Sequence, residues 1–343
     1  MTERAYNVAV VGAAGMVGSE MIKTLEQRKF PVKELRPLDL PELAGTLVSY
    51  AGTQYPCIEA TEENFAGIDI AFFSAGADAS RDLAPKAVRQ GVVVIDNSSA
   101  WRMDPACPLV VPEVNFKDLL WHKGIIANPN CSTIQMVVAL KPLHDFAGIK
   151  RVVVSTYQAA SGAGKAGVDE LRRQAKEIAD GSALSAPKAF RYQLALNVIP
   201  QIDVFGEGDY TLEEWKMVHE TVKIMGDPSI RVTATAVRVP VAVGHSESVN
   251  IETRHKITVA EARALLSEAP GVSVVDDPTA YAYPMPLDAA TTDAVFVGRI
   301  REDNSIENGL NLWIVADNVR KGAALNAVQI AEQLSVADLV SGV

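Results

Sequence analysis

The sequence predicts an α/β protein of two domains, in which a doubly wound parallel sheet precedes a mixed, largely antiparallel sheet. Its 343 residues allow about two domains of about 150 residues each. Before residue 130, buried apolar runs alternate with helical patterns, as is typical of parallel strands joined by crossover helices. After about residue 150, strand-like runs with alternating polarity predominate, which indicates a sheet with one exposed face. We predict one domain over 1–130 together with the C-terminal helical segment 318–343, and an α+β domain over 131–317.

Apolar, β-branched runs predict the strands of the first domain, at residues 7–11, 32–38, 68–73 and 91–96. Leu83, Ala87 and Val88 indicate a crossover helix before the last of these runs. In the second domain we predict strands at 151–156, 231–238, 246–252, 293–299 and 310–316, and helices near 164–179, 210–225 and 259–267. A last helix is predicted over about 320–334.

The charge balance argues against one class of partner. The chain has 32 basic and 42 acidic residues, a net charge of −10 with histidine neutral. Nucleic acid normally requires a basic surface, so it is not an expected partner. We see no secretory-signal pattern at the start and no apolar run of the roughly 18 residues that a membrane helix needs. The odd count of three cysteines indicates reduced thiols, so we expect a cytoplasmic protein. We also expect no membrane partner and no metal site.

A glycine-rich turn joins the first predicted strand to a helix. Gly12 permits a tight turn, Gly15 lets the backbone approach a pyrophosphate, and Gly18 permits close packing of helix on strand. The helix then offers N–H groups and its positive dipole end to a phosphate. This context favours a Rossmann-like dinucleotide-binding domain over a simple tight turn. Further cofactor contacts are expected from Ala14, Met16, Val17 and Ser74.

Asp39 ends the second predicted strand, where such domains place the acidic residue that binds the adenosine ribose. Its carboxylate can accept a hydrogen bond from a 2′-hydroxyl but would repel a 2′-phosphate. A solvated loop carboxylate is the other interpretation of this position.

Cys131 stands at the start of a predicted helix, in the polar segment Asn128–Thr133. The segment is a good capping sequence, so the helix dipole would stabilise a Cys131 thiolate. A small core residue is the alternative interpretation, and we assign Cys57 and Cys107 to such a filler role. His245 follows Gly244 between two strand-like runs and is a candidate general acid and base for that thiolate. From position alone, a structural histidine is the commoner case.

Taken together, these motifs resemble the aspartate-β-semialdehyde dehydrogenase family, in particular its Gram-positive-like bacterial branch. The resemblance runs nearly end to end. It is carried by Val10–Gly18, Asp96–Arg102, Asn128–Thr133, Thr156–Gly164, Arg238–Pro240, Gly244–Ser246 and Asp317–Ala324.

The resemblance implies covalent catalysis in lysine, methionine, threonine and diaminopimelate synthesis. The Cys131 thiolate would attack L-4-aspartyl phosphate and expel inorganic phosphate, and hydride from the reduced nicotinamide would convert the thioester to L-aspartate 4-semialdehyde. His245 would be the acid/base residue. The remaining roles implied by the resemblance fall on Gln158 and Asn130 beside the nucleophile, Arg238 for the α-carboxylate, Glu220 for the α-amino group, Arg102 and Lys223 for phosphate, and Ser161, Gly162 and Asn318 for the cofactor. Solvated surface charges are the alternative for Arg102, Lys223 and Glu220. Gln158 has an alternative role as a satisfied polar residue at a strand end, and Asn318 one as a cap of the final helix.

The cofactor-binding sequence departs from the family pattern. The common stretch Ala-Ser-x-Arg-Ser-Ala-Gly, whose Ser and Arg read the 2′-phosphate of NADP, is replaced here by 39–45, which places Asp39, Leu40 and Glu42 at these positions. Each close carboxylate would repel that phosphate by about 1 kcal/mol or more. The family norm is NADP, but we expect a weakened NADP preference and use of NAD.

Two other functions remain open from the sequence. One is an enzyme like N-acetyl-γ-glutamyl-phosphate reductase, against which the Asn-Pro-Asn-Cys segment, Gln158 and Glu220 argue. The other is a non-catalytic paralogue that acts as a binding protein, against which the retained Cys131 and His245 argue. The resemblance also implies a homodimer or a tetramer, with the second sheet in the interface.

Overall fold

The computed structural model of the protein describes residues 4–340. Residues 1–3 and 341–343 lie outside the described residues. The first three belong to the start of the chain, where we predict no secretory signal, and the last three end the predicted segment 318–343. The chain divides into two compact units. One contains the residues up to Asn130 and those from Ala323 onwards, and the other is Cys131–Gly322. Within residues 4–340, no helix is long and apolar enough to cross a membrane.

The first unit contains a six-stranded parallel sheet, with the strand order β5-β2-β1-β6-β7-β8. Its strands are β1 (Tyr6–Val11), β2 (Val32–Asp39), β3 (Leu47–Tyr50), β4 (Thr53–Pro56), β5 (Ile58–Glu59), β6 (Ile70–Phe73), β7 (Val93–Asp96) and β8 (Ile125–Ala127), of which β3 and β4 form a separate hairpin. Helices α1 (Met16–Gln27), α2 (Ala77–Arg89) and α3 (Pro112–Asn115) follow in chain order. The strand order reverses between β1 and β6, and ligands of doubly wound folds bind at the carboxyl ends of the strands at such a point.

The C-terminal helix Leu325–Val336 completes the core of the first unit. Its apolar residues Val328 and Ala331 are fully buried in one cluster with Val8 and Val10 of β1. A five-residue π-helical turn, Arg320–Ala324, precedes it, so the predicted single helix from residue 320 is two elements. Burial of this apolar face explains why the end of the chain returns to the first unit.

The second unit contains a six-stranded mixed sheet, with the strand order β10-β9-β11-β14-β13-β12. Its elements are α4 (Cys131–Ala147), β9 (Ile149–Gln158), α5 (Gly164–Ala179), α6 (Leu212–Met225), β10 (Arg231–Arg238), β11 (His245–Thr253), α7 (Val259–Glu268), β12 (Val272–Val274), α8 (Pro286–Ala289), β13 (Val295–Asp303) and β14 (Gly309–Ala316). The C-terminal helix is therefore α9. Three of the five strand pairings are antiparallel. The predicted fold class, with a largely antiparallel second sheet, is confirmed.

Candidate active site

Three predicted site residues meet at one end of the second unit's sheet. Gln158 is the last residue of β9, Arg238 the last of the parallel β10, and His245 the first of the antiparallel β11. Gln158 and Arg238 are register partners, and the pairing of Tyr157 with Ser246 sets His245 beside Gln158 on the other flank. Sheet pairing thus brings together side chains that are up to 87 positions apart in the chain.

The peptide groups of Ala159, directly after β9, hold two of these side chains. The Ala159 N–H donates to His245 Nδ1 at 3.0 Å. The Ala159 carbonyl accepts from Arg238 Nη1 at 2.6 Å. Gly162 leaves room for the guanidinium, because a Cβ at this residue would lie 2.6 Å from Nη1.

His245 is fully buried, and its hydrogen bonding selects one tautomer. Because Nδ1 accepts a backbone N–H, a neutral ring carries its proton on Nε2, which has no hydrogen-bond partner among residues 4–340. Burial and, to a lesser degree, the charge of Arg238 lower the pKa of His245 to about 3, although Glu213 opposes the shift. The ring is therefore neutral at pH 7, and its Nε2–H can donate a hydrogen bond.

Cys131 is the first residue of α4, where the helix dipole favours a thiolate. The chain enters this helix from the buried Asn128, whose N–H donates to Asp96 O at 2.7 Å and whose Oδ1 accepts from Asn326 at 2.7 Å. Gly322, in the π-helical turn, packs so closely that a Cβ there would lie 2.8 Å from Cys131 Cβ. Sequence analysis did not single out Gly322, although it lies inside the last motif of the resemblance.

Gln158 connects α4, the helix that starts at Cys131, to α6. Its side chain is buried, and Nε2 donates to the Ser132 hydroxyl and, at 3.0 Å, to Glu213 Oε1. Neither partner was predicted from the sequence. Gln158 is thereby held in one orientation next to the start of α4.

A cavity of about 360 Å³ contains Arg238, Glu213 and Lys216. Lys216 Nζ lies 3.0 Å from Glu213 and 2.8 Å from Asp203. Burial acts to lower the pKa of Lys216, but the two carboxylates outweigh it and the net shift is upward. Burial lowers the pKa of Arg238, and the charges of Glu213 and Cys131 oppose that shift. Both bases remain cationic at pH 7, so the cavity combines two positive groups with a buried carboxylate.

Glu220 and Lys223, the residues predicted for the α-amino group and phosphate, do not line this cavity. They follow Glu213 and Lys216 by seven positions on α6, which is about two helical turns or roughly 10 Å along the axis. Glu220 is buried and Lys223 half-buried. Because seven residues return almost to the same helix face, the pattern Glu-x-x-Lys occurs twice on that face. Only the fold selects the first pair for the cavity.

Asn318 joins the loop after β9 to the start of β11. Its Oδ1 accepts from Ser161 Oγ at 2.9 Å and from the Gly244 N–H at 3.0 Å. Capping of the next turn is done by Asp317, whose Oδ1 accepts from the N–H groups of Val319 and Arg320. Asn318 therefore links two loops of the site, and the cap that was its alternative role is provided by Asp317.

The glycine turn of the first unit forms a cradle that side chains would fill. Gly12 has a φ of +82°, and a Cβ there would lie 2.6 Å from Ser74 O. A Cβ on Gly18 would lie 2.1 Å from Gly12 O, so α1 packs directly on the turn. Ala14, Met16 and Val17 complete the turn and the first residues of α1. Exposed backbone N–H groups at a helix N-terminus fit the pyrophosphate of a dinucleotide.

Asp39 lies at the carboxyl end of β2 and is held by that turn. Its Oδ2 accepts from Ala14 N at 2.8 Å and its Oδ1 from Leu40 N at 2.9 Å. The side chain is 2% exposed, which excludes the interpretation as a solvated loop carboxylate. Glu42 follows in an exposed 3₁₀ turn, Pro41–Leu43.

Arg102 and Asn130 belong to the first unit and are both buried. Arg102 Nη2 donates to Asn97 O at 2.9 Å. Burial raises the pKa of the neighbouring Asp96 carboxyl, although hydrogen bonds from Ser98 and the charge of Arg102 act to lower it. Asn130 directly precedes Cys131.

Family comparisons match both units. Residues 7–122 match a model described as semialdehyde dehydrogenase, NAD binding domain, and residues 140–321 one described as semialdehyde dehydrogenase, dimerisation domain. This chain belongs to the semialdehyde dehydrogenase family, and the relatives named below place it among the aspartate-semialdehyde dehydrogenases. It is an oxidoreductase of that family with a domain for binding a nicotinamide dinucleotide, as predicted from the motifs.

Individual relatives support the same assignment over nearly full length. The aspartate-semialdehyde dehydrogenase of Aquifex aeolicus is 56% identical over 96% of this chain and 98% of its own. That of Bacillus subtilis is 52% identical over 98% and 99%. A solved structure of aspartate semialdehyde dehydrogenase II from Vibrio cholerae complexed with ASA has a TM-score of 0.94, with 48% identity over 98% of this chain and 99% of that one.

The His245 pKa predicts how folding stability depends on pH. The unfolded chain takes up a proton at this ring below pH 6.5, whereas the folded protein does so only near pH 3. The free energy of unfolding therefore falls as the pH drops through this window, by about 2 kcal/mol between pH 6.5 and 5 from this group. Urea unfolding at pH 7 and 5 should show a loss that is smaller by about this amount in His245→Asn, whose side-chain oxygen can still accept from Ala159. Equal losses in the two proteins would contradict the buried neutral ring.

Proposed function

We propose that the protein reduces L-4-aspartyl phosphate to L-aspartate 4-semialdehyde through a thioester on Cys131. The observation that carries this proposal is the joint presence of Arg238, Lys216 and Glu213 in one cavity, linked through Gln158 to the helix that starts at Cys131. The substrate carries a carboxylate, a phosphate and an ammonium group. These charges complement the three cavity residues.

Each cavity residue has a role that follows from its charge. Arg238 presents a planar fork that suits the α-carboxylate, and Ala159 fixes that fork in place. Glu213 pairs with the α-ammonium group. Lys216 binds the phosphate. The resemblance implies a phosphate role for Arg102 as well. We assign to Glu213 and Lys216 the roles that the resemblance had placed on Glu220 and Lys223.

The chemical step begins with the Cys131 thiolate, which adds to the acyl carbon of the substrate. The C–O bond to phosphate then breaks, and phosphate leaves with that electron pair. The nicotinamide, when bound, supplies the hydride that reduces the thioester carbonyl. Collapse of the resulting hemithioacetal oxyanion on Cys131 releases the aldehyde and restores the thiolate.

His245 and Gln158 assist without leaving their positions. The Nε2–H of His245 is the donor for oxygen as negative charge develops during addition and collapse. Gln158 orients the acyl group, because its amide is tied to Ser132 on the side of the nucleophile.

Glu213 also separates this function from the reduction of N-acetyl-γ-glutamyl phosphate. An N-acetylated substrate has no ammonium group, so it would leave a buried carboxylate without a positive ligand partner in the cavity. The cavity therefore favours a free α-amino acid.

We further propose an oligomer and a cellular location. The match to a dimerisation domain supports self-association of the second unit, which leaves Tyr157 of β9 and Tyr283 and Met285 of the loop before α8 exposed. We propose a homodimer through this face, with a tetramer as the other possible assembly. A nucleophilic thiol requires reducing conditions, which supports the cytoplasm.

The proposed activity is tested in the reverse direction with aspartate semialdehyde, inorganic phosphate and NAD⁺ or NADP⁺. We expect phosphate-dependent formation of reduced cofactor, lowered at least about a thousandfold in Cys131→Ser because the thioester cannot form. A parent protein that binds cofactor but lacks this activity would instead support the non-catalytic paralogue.

The cavity assignment is tested by two matched lysine variants on α6. Lys216→Ala should raise the KM for phosphate about tenfold or more, since a charge-assisted hydrogen bond is worth about 1.5–3 kcal/mol. Lys223→Ala, two turns further on, should change it less than about twofold because this lysine lies outside the cavity. The opposite ranking of the two variants would return the role to Lys223.

Cofactor preference is tested by comparing kcat/KM for NAD and NADP. Asp39 is held by two backbone N–H groups at the end of β2 and suits a 2′-hydroxyl, so we propose that NAD is used at least as well as NADP. Glu42→Arg should raise kcat/KM for NADP about tenfold through a new charge-assisted contact, whereas Glu42→Gln should have a smaller effect. Strong NADP selectivity in the parent protein would refute this proposal.

A further inference from the structure

A group of buried polar atoms lies behind the catalytic residues of the second unit. Glu247 follows His245 by two positions on β11 and so points to the same face of the sheet. Gln135 follows Cys131 by four positions, one turn later on α4, which packs against β11. Both side chains are fully buried. Neither belongs to the cavity described above.

When Glu247 is ionised, this pair of side chains has more hydrogen-bond acceptors than donors. Among residues 4–340, both carboxyl oxygens of Glu247 and Oε1 of Gln135 lack a hydrogen-bond partner. All three atoms are acceptors when Glu247 is ionised. Gln135 Nε2 donates to the main-chain oxygen of His245 at 3.4 Å, which uses one of its two N–H groups.

A single proton on Glu247 satisfies this group. The carboxylic acid O–H can donate to Gln135 Oε1, while the second amide N–H of Gln135 donates to the other carboxyl oxygen. Burial raises the pKa of Glu247 well above 4.5, and the Gln135 amide opposes the shift without cancelling it. The acid–amide pair would leave the remaining Gln135 N–H on His245 O.

We propose that Glu247 is a positioning residue, whose carboxylic acid pairs with Gln135 and thereby holds the main chain of His245 against the helix that starts at Cys131. This inference rests on the proposed catalytic roles of Cys131 and His245. Two apolar residues at these positions would fill the same space without an unsatisfied polar atom, so stability alone does not account for this glutamate and glutamine. The pair instead sets the distance between the strand that carries the histidine and the helix that carries the thiol.

The test compares Glu247→Leu with Glu247→Gln in the phosphate-dependent assay. Glu247→Leu should lower kcat at least about tenfold, because small displacements of catalytic groups cost rate steeply, and should leave the KM for aspartate semialdehyde within about twofold. Glu247→Gln retains a donor and an acceptor for Gln135 and should keep kcat within about threefold. Gln135→Leu should match Glu247→Leu, and the double variant should add little to either.

Thr156→Val is the matched control, because Thr156 is the register partner of Glu247 on β9 and its buried hydroxyl is also without a partner among residues 4–340. It should keep kcat within about twofold. Urea unfolding should show the double variant Glu247→Leu/Gln135→Leu to be at least as stable as the parent protein, whereas Glu247→Leu alone leaves the buried Gln135 amide unpaired and should be less stable. Loss of kcat in Thr156→Val, equal losses in the Leu and Gln variants of Glu247, or a fall in the stability of the double variant that accompanies its fall in kcat would overturn the inference.

An infrared difference spectrum of parent minus Glu247→Gln at pH 7 tests the pairing independently of turnover and of the Leu variant's folding. We expect a carboxylic acid C=O band, and a carboxylate band in its place would refute the pair. The two proposals fail differently. No turnover in the parent protein would contradict the proposed function, whereas turnover that is insensitive to Glu247→Leu would contradict this inference alone.

Discussion

The active site of the second unit depends on one peptide segment, the main chain of Ala159 at the end of β9. Its N–H holds the His245 ring in a single tautomer, and its carbonyl holds the Arg238 guanidinium. Both side chains come from strands that flank β9, so the register of the sheet sets the distance between them. Backbone groups serve this purpose well because they cannot rotate away as side chains can. A shift of one residue in either pairing would turn the His245 or the Arg238 side chain to the opposite face of the sheet.

Burial gives these groups their chemical character. A histidine in water would be partly protonated near pH 6.5, but this one stays neutral because burial and Arg238 disfavour a second positive charge. Lys216 keeps its charge in a similar setting because two carboxylates lie within 3.0 Å of it. An acidic chain with a net charge of −10 can therefore present a local site for an anionic substrate. The net charge indicates which partners the whole surface attracts, whereas the charge of the cavity depends on a few closely spaced ionised side chains.

Local sequence signals predicted much of this protein. The strands β1, β6 and β7 are continuous apolar runs, and Cys131 follows a capping segment at the boundary where α4 begins. Other features depend on contacts between distant segments and gave no local signal. Glu213 is distinguished from Glu220 only by which turn of α6 meets Gln158, and Asp39 is distinguished from a solvated loop residue only by its bond to Ala14. Gly322 is required by a close approach to a residue 191 positions earlier in the chain.

By itself, the sequence determined the fold class, the family and the identity of the thiol at the head of a helix, because periodicity, glycine spacing and capping are properties of neighbouring residues. The tertiary structure decided which Glu-x-x-Lys pair lines the cavity, which tautomer His245 adopts, and that Glu247 of β11 and Gln135 of α4 are buried. These outcomes depend on strand register and on the removal of water from particular side chains. Neither the strand register nor the burial of these side chains is set until distant parts of the chain have packed together.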